Sequence, residues 1–347
     1  MNTEQASAHL SNLYKDLTVF HGELHDHAAT GGTSDGKCTL AKWRERMQLL
    51  NIDFAAILDH RQVRHMYLPE WEDGLFIPGT EPGTTITDAD ARNGHMHYNI
   101  LLPDRDELEK ILNEFPEYEF TGGTEGHFVY PAFTRERFGQ LIDAVLAHGG
   151  FFVHPHPRQV MDADDPTQYW FRDYTGIEVF YMDLDSEHTR KNYPLWLDLL
   201  KAGKRVYASA GGDLHEKCTD RALTTLYSKD KTSKSFLTEL RRGNYTCGQV
   251  GIQMAIGNTV MGGVTRTENE DLAVRVSDFH KSIVREGHLY RADIITDAGA
   301  VASFPISPDA PACFTMKCDR AAFYRVEVFD ETENMRIAIG NPIWNEQ

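Results

Sequence analysis

Three segments of the chain follow the same order: a helix with one apolar face, a glycine or turn residue, and a short apolar strand. In the first segment the apolar residues Leu40, Trp43, Met47 and Leu50 recur at helical spacing, and the apolar run from Phe54 to Leu58 follows. The helix and strand of the other two segments are predicted at 138–146 and 151–153, and at 195–200 and 206–210. Short apolar strands that alternate with helices predict parallel strand–helix units, which close into a barrel or open into a doubly wound sheet.

A different pattern of apolar and polar positions begins after about residue 248. Leu272, Val274 and Val276 alternate with residues that are polar or small. This period of two is typical of half-buried antiparallel strands. We therefore expect two domains, an α/β domain at 1–247 and a small antiparallel β-sandwich domain at 248–347.

Potential metal ligands follow several of the apolar runs. His25 and His27 are two residues apart on a strand-like segment and therefore point to the same side, and Asp35 is near enough to add a carboxylate. Such a pair alone is equally compatible with an exposed polar turn. Recurrence at strand ends favours a shared metal site, because chemistry in both architectures lies at the carboxyl ends of strands. The further candidates are Asp59 and His60, Glu81, His95 and His97, His154 and His156, and Asp213 and His215.

Composition narrows the class of protein. A length of 347 residues suits one barrel with a small accessory domain, and a formal net charge of −17 disfavours nucleic acid held on a basic surface. The five cysteines are odd in number and scattered, which argues against a disulfide framework and suits a reducing compartment. Because 1–16 lacks the features of a signal peptide and no apolar run could span a bilayer, we expect a cytoplasmic protein without membrane contact. No oligomeric state is predicted.

The order of the ligand motifs resembles that of the PHP (polymerase and histidinol phosphatase) superfamily. The motifs run from 25 to 215 in the family's order: His25-x-His27, Ser34-Asp35-Gly36, Asp59-His60, Gly79-x-Glu81, His97, the His-Pro element at 154–157, and Gly212-Asp213-x-His215. The C-terminal region, which ends in Gly340-Asn341-Pro342-Ile343, is similar to the accessory domain of the CehA-like branch. The resemblance implies a distorted (βα)7 PHP-type barrel followed by the small β-sandwich.

The resemblance also implies two or three divalent metal ions, commonly Zn, Fe or Mn. Three ligand groups follow by motif: His25, His27, Glu81 and Asp213; Glu81 as a bridge, His97 and a histidine of the His-Pro element; and Asp35, His60 and His215. His97 fits the family position better than His95, since Tyr98-Asn99 and an apolar run follow it. His154 and His156 each precede a proline, and both remain candidates.

A site of this kind predicts hydrolysis. Adjacent cations lower the pKa of a bridging water, so that hydroxide is available near neutral pH, and they hold the oxygens of an in-line phosphoryl displacement. Glu81 and Asp213 are candidate catalytic residues at the ions. Arg61 and Arg158 are candidates for binding phosphate, because a guanidinium matches that group, although a solvated surface role is equally compatible with each.

The expected activity is that of a phosphoesterase acting on a small-molecule phosphate ester. The same site can also cleave a carboxylic ester, a carbamate or an amide, which is the first alternative. The second alternative is a non-catalytic binding module. It is disfavoured because none of the expected motifs is missing.

Overall fold

The computed structural model describes residues 1–88, 95–118, 131–157, 171–266, 269–281 and 285–346. A side chain of Asn, Thr, Asp or Ser caps each α-helix in these ranges by accepting a hydrogen bond from the backbone N–H three residues later. The α-helices are α1 (Thr3–Leu13), α2 (Leu40–Leu50), α3 (Arg105–Glu114), α4 (Arg135–Ala147), α5 (Glu187–Lys201) and α6 (Ser233–Arg242). Two short 3₁₀ helices lie at Arg64–Tyr67 and Pro116–Tyr118.

Seven strands form the part of the main sheet beside which most of the predicted ligands lie, in the order β10-β9-β8-β6-β3-β2-β1, with strand ranges as follows. The strands of the first 248 residues are β1 (Thr18–Asp26), β2 (Phe54–Ile57), β3 (Phe76–Thr80), β4 (Gly83–Ile86), β5 (His95–His97), β6 (Asn99–Leu101), β7 (Ala132–Phe133), β8 (Phe151–His154), β9 (Gly176–Tyr181), β10 (Tyr207–Gly211), β11 (Thr224–Ser228) and β12 (Tyr245–Gly248). The strands β1, β2 and β3 are parallel, as are β8, β9 and β10. Strand β6 departs from the expected parallel pattern, since it is antiparallel to both β3 and β8.

The two ends of this seven-strand series meet at the end of β1. The first half of β1 pairs antiparallel with β11, whereas its last residues bond to the chain that follows β10. The backbone N–H of Asp213 donates to the carbonyl of His25 at 2.7 Å, and that of His27 donates to the carbonyl of Leu214 at 2.9 Å. These bonds bring the residues after β10 beside those after β1.

The C-terminal strands are antiparallel, with the exception of one short parallel pair, β15 with β22. They are β13 (Gly251–Ile256), β14 (Thr259–Val260), β15 (Val264–Thr265), β16 (Asp271–Ser277), β17 (Tyr290–Thr296), β18 (Gly299–Ile306), β19 (Ala312–Lys317), β20 (Phe323–Asp330), β21 (Met335–Gly340) and β22 (Ile343–Asn345). One sheet has the order β14-β13-β16-β19, and β21, β20, β17 and β18 extend the main sheet beyond β12. The antiparallel strand predicted around Val274 is confirmed as β16, which pairs with β13 and β19.

The first helix packs against the C-terminal strands rather than against β1 and β2. Helix α1 contacts β16 and β19, and the terminal ammonium of Met1 lies 2.9 Å from Asp271 Oδ2. Strand β12 pairs with β21, so the main sheet and a single hydrophobic cluster both continue across residue 248. The division into domains at 247/248 therefore stays a prediction. None of the helices in the described ranges has the length and hydropathy that a membrane-spanning helix requires.

Candidate metal centre

The predicted ligands that meet in the described part of the chain come from seven separate segments, and most of them lie at one edge of the main sheet. His25 and His27 lie at the end of β1, His60 after β2, Glu81 after β3, His97 at the end of β5, His156 after β8, and Asp213 and His215 after β10. Because the parallel strands of the main sheet run in the same direction, their carboxyl ends bring most of these side chains together, and β5 of a separate three-stranded sheet adds His97. Asp35 joins them from the loop that precedes α2.

Glu81 is the centre of the cluster. Its side chain is 1% exposed, and both of its carboxylate oxygens face imidazole nitrogens. Five histidines lie within 3.1–3.3 Å of the two oxygens: His25 Nε2, His27 Nε2 and His60 Nδ1 at Oε2, and His97 Nδ1 and His156 Nε2 at Oε1. A carboxylate with histidines on both oxygens has the arrangement needed to share two cations.

Three groups of potential ligand atoms can each surround one ion, since the atoms of each group lie within 4.8 Å of one another. They are His25, His27, Glu81 and Asp213; Glu81, His97 and His156; and His27, Asp35, His60 and His215. Asp213 Oδ1 closes the first group at 2.9 Å from His27 Nε2. Asp35 Oδ1 closes the third at 3.0 Å from His215 Nε2, and its side chain is 49% exposed. The third group is therefore the one that opens to solvent.

The structure separates the two histidines of the His-Pro element. His156 reaches Glu81, whereas the ring of His154 lies between Phe152 and Phe171, with ring centroids 5.1 and 4.3 Å away. His154 belongs to none of the three groups formed by the described residues. Burial lowers the pKa of His154 to about 3, so this histidine is neutral at physiological pH.

Of the two arginines predicted to bind phosphate, the structure describes Arg61 but not Arg158. Arg61 directly follows His60 and has a positive φ of 52°, and it lies close enough to Tyr98 for its charge to oppose the effect of burial on the pKa of that tyrosine. Its contact with phosphate stays a prediction. Arg158 lies outside the described residues, as does the side chain of His95.

The charges of the cluster oppose what burial alone would produce. Burial lowers the pKa of His27, but the carboxylates of Asp213 and Glu81 raise it to about 10. Burial raises the pKa of Glu81, but the facing rings of His25, His97 and His60 hold it well below its usual range. Without ions the cluster therefore holds a protonated His27 beside an anionic Glu81. Ions that bind here must displace protons, because an imidazole ligates through a free lone pair.

Several buried atoms of the cluster fit a cation better than they fit one another. Among the described residues, neither His25 Nε2 nor Glu81 Oε2 has a hydrogen-bond partner, although the two atoms are 3.2 Å apart and fully buried. A buried polar atom without a partner costs roughly 1–3 kcal/mol. A cation between such atoms would satisfy them. The combination of imidazole and carboxylate ligands suits divalent Zn, Fe or Mn.

Among the residues that the structure describes, four at this edge have a left-handed backbone conformation although none of them is glycine. They are Arg61, His156, Met182 and Asp213, with φ of 52°, 28°, 62° and 49°. Each follows one of the strands β2, β8, β9 and β10 within four residues. Strained conformations of this kind cluster at functional sites, where the surrounding structure holds them in place.

Three residues support the cluster from behind. Asp59 was predicted as a candidate ligand but belongs to none of the three groups formed by the described residues, and Glu178 and Tyr181 were missed. Asp59 is fully buried and accepts hydrogen bonds from the N–H of Ala28 at 2.7 Å and from His65 Nδ1 at 3.2 Å, which fixes the chain after β1. Glu178 and Tyr181 on β9 contact His25 and Asp213 respectively. The available signal for Glu178 was an acidic residue within an otherwise apolar run.

No protein-family model and no curated protein matches the chain. Several solved structures resemble the chain, and one of them matches over nearly its whole length. This is a two-domain protein from Bacteroides vulgatus, described as containing a predicted PHP-like metal-dependent phosphoesterase, with 12% identity and a TM-score of 0.44 over 95% of this chain and 96% of that one.

Two further similar structures carry other descriptions. One is an amidohydrolase from Chromobacterium violaceum, with 15% identity and a TM-score of 0.38 over 58% of this chain and 89% of that one. The other is a lesion-specific endonuclease from Pyrococcus furiosus, with 15% identity and a TM-score of 0.43 over 65% of this chain and 56% of that one.

Proposed function

We propose that this protein is a metal-dependent phosphoesterase of the PHP superfamily, in its CehA-like branch. The observation that carries the proposal is the position of Glu81, which faces five imidazole nitrogens within 3.1–3.3 Å through its two oxygens. A carboxylate offers about four lone-pair sites, so hydrogen bonding alone does not account for five imidazole nitrogens, whereas a shared ion site does. We also propose that the α/β part of the chain is a distorted seven-stranded barrel, that the protein acts in the cytoplasm, and that its substrate is a small-molecule phosphate ester.

The three groups of ligand atoms would hold two or three divalent ions, with Glu81 shared between the first and second positions. The first position is buried, with His25 and His27 fully inaccessible to solvent. The third opens to solvent at Asp35 and His215, whose side chains are 49% and 28% exposed. The substrate would therefore approach from the side of Asp35.

When bound, divalent ions would supply Lewis-acid activation of a water nucleophile and of the phosphoryl oxygens. The chain itself contributes three things. Glu81 and Asp213 neutralise the charge of neighbouring cations, the buried histidines keep ligand nitrogens in fixed positions, and Arg61 and Arg158 would bind the non-transferred phosphate oxygens. This is the environment that an in-line displacement at phosphorus requires.

The test combines metal analysis with a panel of chromogenic esters. Protein purified without chelator should contain two or three equivalents of transition metal and hydrolyse p-nitrophenyl phosphate or bis(p-nitrophenyl) phosphate faster than p-nitrophenyl acetate. A His27→Gln variant should lose metal and activity together, whereas Glu239→Gln, at a buried glutamate of α6, should keep both. Metal-loaded protein that cleaves only the carboxylic ester would overturn the phosphoesterase, and protein that binds no transition metal would overturn the site.

A further inference from the structure

Strand β9 contains a bulge next to the metal centre. Ser209 of β10 pairs with Glu178, but the next residue of β10, Ala210, pairs with Phe180, so that Val179 has no partner in β10. In a regular strand, residues three apart point to opposite faces. The extra residue at the bulge brings Glu178 and Tyr181 to the same side, which is a recognised use of bulges near active sites.

Glu178 contacts one histidine from each of two ligand groups. Its side chain is 1% exposed, Oε1 lies 2.9 Å from His25 Nδ1, and Oε2 accepts the backbone N–H of His156 at 2.9 Å. A carboxylate can only accept hydrogen bonds, so the proton of a neutral His25 is kept on Nδ1. The lone pair of His25 Nε2, an atom 3.2 Å from Glu81 Oε2, is then available to a cation.

The second oxygen of Glu178 acts on a strained part of the chain. His156 has a φ of 28°, which its N–H bond to Glu178 helps to hold, and in this conformation its Nε2 lies 3.1 Å from Glu81 Oε1. The two histidine rings are stacked, with centroids 5.9 Å apart and an interplanar angle of 21°. One carboxylate therefore orients a ligand on each side of Glu81.

Strand β10 leaves room for this contact. A Cβ at Gly211 would lie 2.0 Å from Glu178 Oε1 and 2.7 Å from His25 Cβ, so a side chain there would separate the pair. Tyr181 acts in parallel on the neighbouring ligand. Its hydroxyl donates to Asp213 Oδ2 at 2.6 Å, which leaves Oδ1 to face His27.

We infer that Glu178 and Tyr181 are positioning residues: Glu178 sets the tautomer in which His25 binds metal and the orientation of His156, and Tyr181 sets the orientation of Asp213. The inference rests on the proposed metal site. Groups that hold metal ligands in this way typically contribute 10- to 100-fold in metal affinity or activity. The bulge at Val179 is the feature of the fold that makes both contacts possible.

The experiment measures Co²⁺ binding and its visible absorption spectrum in the full-length protein. In Glu178→Gln the amide can accept only one of the two hydrogen bonds, and its NH₂ group favours the His25 tautomer that carries hydrogen on Nε2. We expect the affinity for at least one Co²⁺ equivalent to fall about 10- to 100-fold, with an altered spectrum. Glu178→Asp, which keeps the carboxylate, should restore part of the affinity.

Tyr181→Phe should weaken Co²⁺ binding less, because it removes one hydrogen bond and leaves Asp213 anionic. The matched controls are Glu239→Gln and Tyr245→Phe. Glu239 is buried and accepts a hydrogen bond from Asn244, and the buried hydroxyl of Tyr245 donates to the carbonyl of Ala208. Both should lower the melting temperature and leave the Co²⁺ affinity and spectrum unchanged.

The outcomes separate the inference from the proposed function. Wild-type protein that binds no Co²⁺ would overturn both. Wild-type protein that binds Co²⁺, together with a folded Glu178→Gln variant of unchanged affinity and spectrum, would overturn the inference alone. If Glu178→Gln failed to fold, an unchanged spectrum and affinity in Tyr181→Phe and Glu178→Asp would have the same meaning.

Discussion

Residues that hold the proposed ions must act on one another as well as on the ions. Glu81 contacts five imidazole rings. Together with Asp213, its carboxylate raises the pKa of His27. A neutral isostere at this position removes a charge that two ion positions share. Such a variant therefore tests the carboxylate that two ion positions share, whereas replacement of a histidine tests a single ligand.

We predict that Glu81→Gln loses more than one equivalent of metal and at least about 10²- to 10³-fold in activity. The amide retains one oxygen, but its NH₂ group cannot ligate a cation, and it no longer offsets repulsion between neighbouring ions. Metal analysis by mass spectrometry and the rate of phosphate ester hydrolysis are the measurements, with Glu239→Gln as control. Full metal content in Glu81→Gln would show that this carboxylate is not the bridge.

The pair His154 and His156 gives a second prediction at this scale. Replacing His154 by Phe keeps an aromatic ring between Phe152 and Phe171, so metal content and activity should stay at the wild-type level. His156→Phe should lose about one equivalent of metal, because its Nε2 is one of the two nitrogens at Glu81 Oε1. Metal analysis of both variants decides, and loss of metal from His154→Phe would reverse the assignment.

His21, on the opposite end of β1, predicts a pH dependence of folding. Burial and then the nearby His280 lower its pKa to about 4, while the acidic groups Asp53 and Asp278 act in the other direction. Since the folded-state pKa lies below the unfolded value, His21 stabilises the protein fully above about pH 6.5, and the contribution is lost as the pH falls towards 4. The amount is at most roughly 3 kcal/mol.

The measurement is urea unfolding of chelator-treated protein between pH 7 and pH 4.5, which removes the influence of the metal centre. Wild-type protein should lose more stability across this range than His21→Gln, which cannot titrate. Equal losses in the two proteins would contradict the assigned pKa.

The sequence predicted that histidines and carboxylates after apolar runs form the site, but it did not identify every residue of the site. Ligands such as His60 and Asp213 end apolar runs and were found that way. The choice between His154 and His156 depends on the turn of the chain after β8, where His156 has a φ of 28°, and a sequence does not show that turn. Glu178 was missed because its function depends on a bulge that only strand pairing reveals.

At the scale of elements, the strand that precedes α5 and the first turn of that helix are joined at the metal centre. The hydroxyl of Ser186 caps α5 by accepting the N–H of Thr189 at 3.1 Å, and it donates to the carbonyl of Tyr181 at 2.6 Å. The same side chain thus fixes the helix start and the end of β9. The cap should therefore influence activity as well as stability.

We predict that Ser186→Ala costs about 1 kcal/mol of stability and lowers the turnover rate several-fold. Thr232→Ala is the matched control, because Thr232 caps α6 in the same way and that helix contributes none of the three ligand groups. The control should lose similar stability with no change in turnover. Urea unfolding and steady-state kinetics test both variants; equal turnover in the two would show that the Tyr181 contact has no influence on the site.

Elements with a strong apolar pattern were predicted more easily than the others. The strands near 54–58, 151–153 and 206–210 are present as β2, β8 and β10. Helix α1 was not predicted, because only Ala6 and Leu10 of it are buried and its polar residues dominate. The antiparallel direction of β6 also has no local signal, since it depends on which strands lie beside it.

At the scale of the whole molecule, one hydrophobic cluster joins the strands on both sides of residue 248. It includes Leu24 and Ile77 near the metal centre and Met254 and Val274 in the C-terminal sheet. Such continuity predicts that the two parts unfold together. The pairing of β12 with β21 could not be predicted, because the sequence of one strand does not determine which distant strand it pairs with or in which register.

We predict that removal of metal by EDTA lowers the melting temperature and speeds amide hydrogen exchange in both parts. A ligand that binds only the folded state stabilises every element that unfolds with its site. Hydrogen exchange measured by mass spectrometry on peptides from β2 and from β16 is the test, with zinc-saturated EDTA as control. Faster exchange confined to β2 would show that the parts unfold separately, as the predicted domain division implies.

The four left-handed residues at the strand ends have a consequence for how the sequence can change. A non-glycine residue in this conformation costs roughly 1–2 kcal/mol, so glycine or asparagine would relieve strain at Arg61, His156, Met182 and Asp213. A library selected only for survival at high temperature should therefore accumulate those residues at these positions and lose activity. Selection for turnover should restore the original side chains, except at Met182, which is neither a proposed metal ligand nor a proposed phosphate-binding residue. At these few positions, substitutions that raise thermal stability would lower catalytic activity.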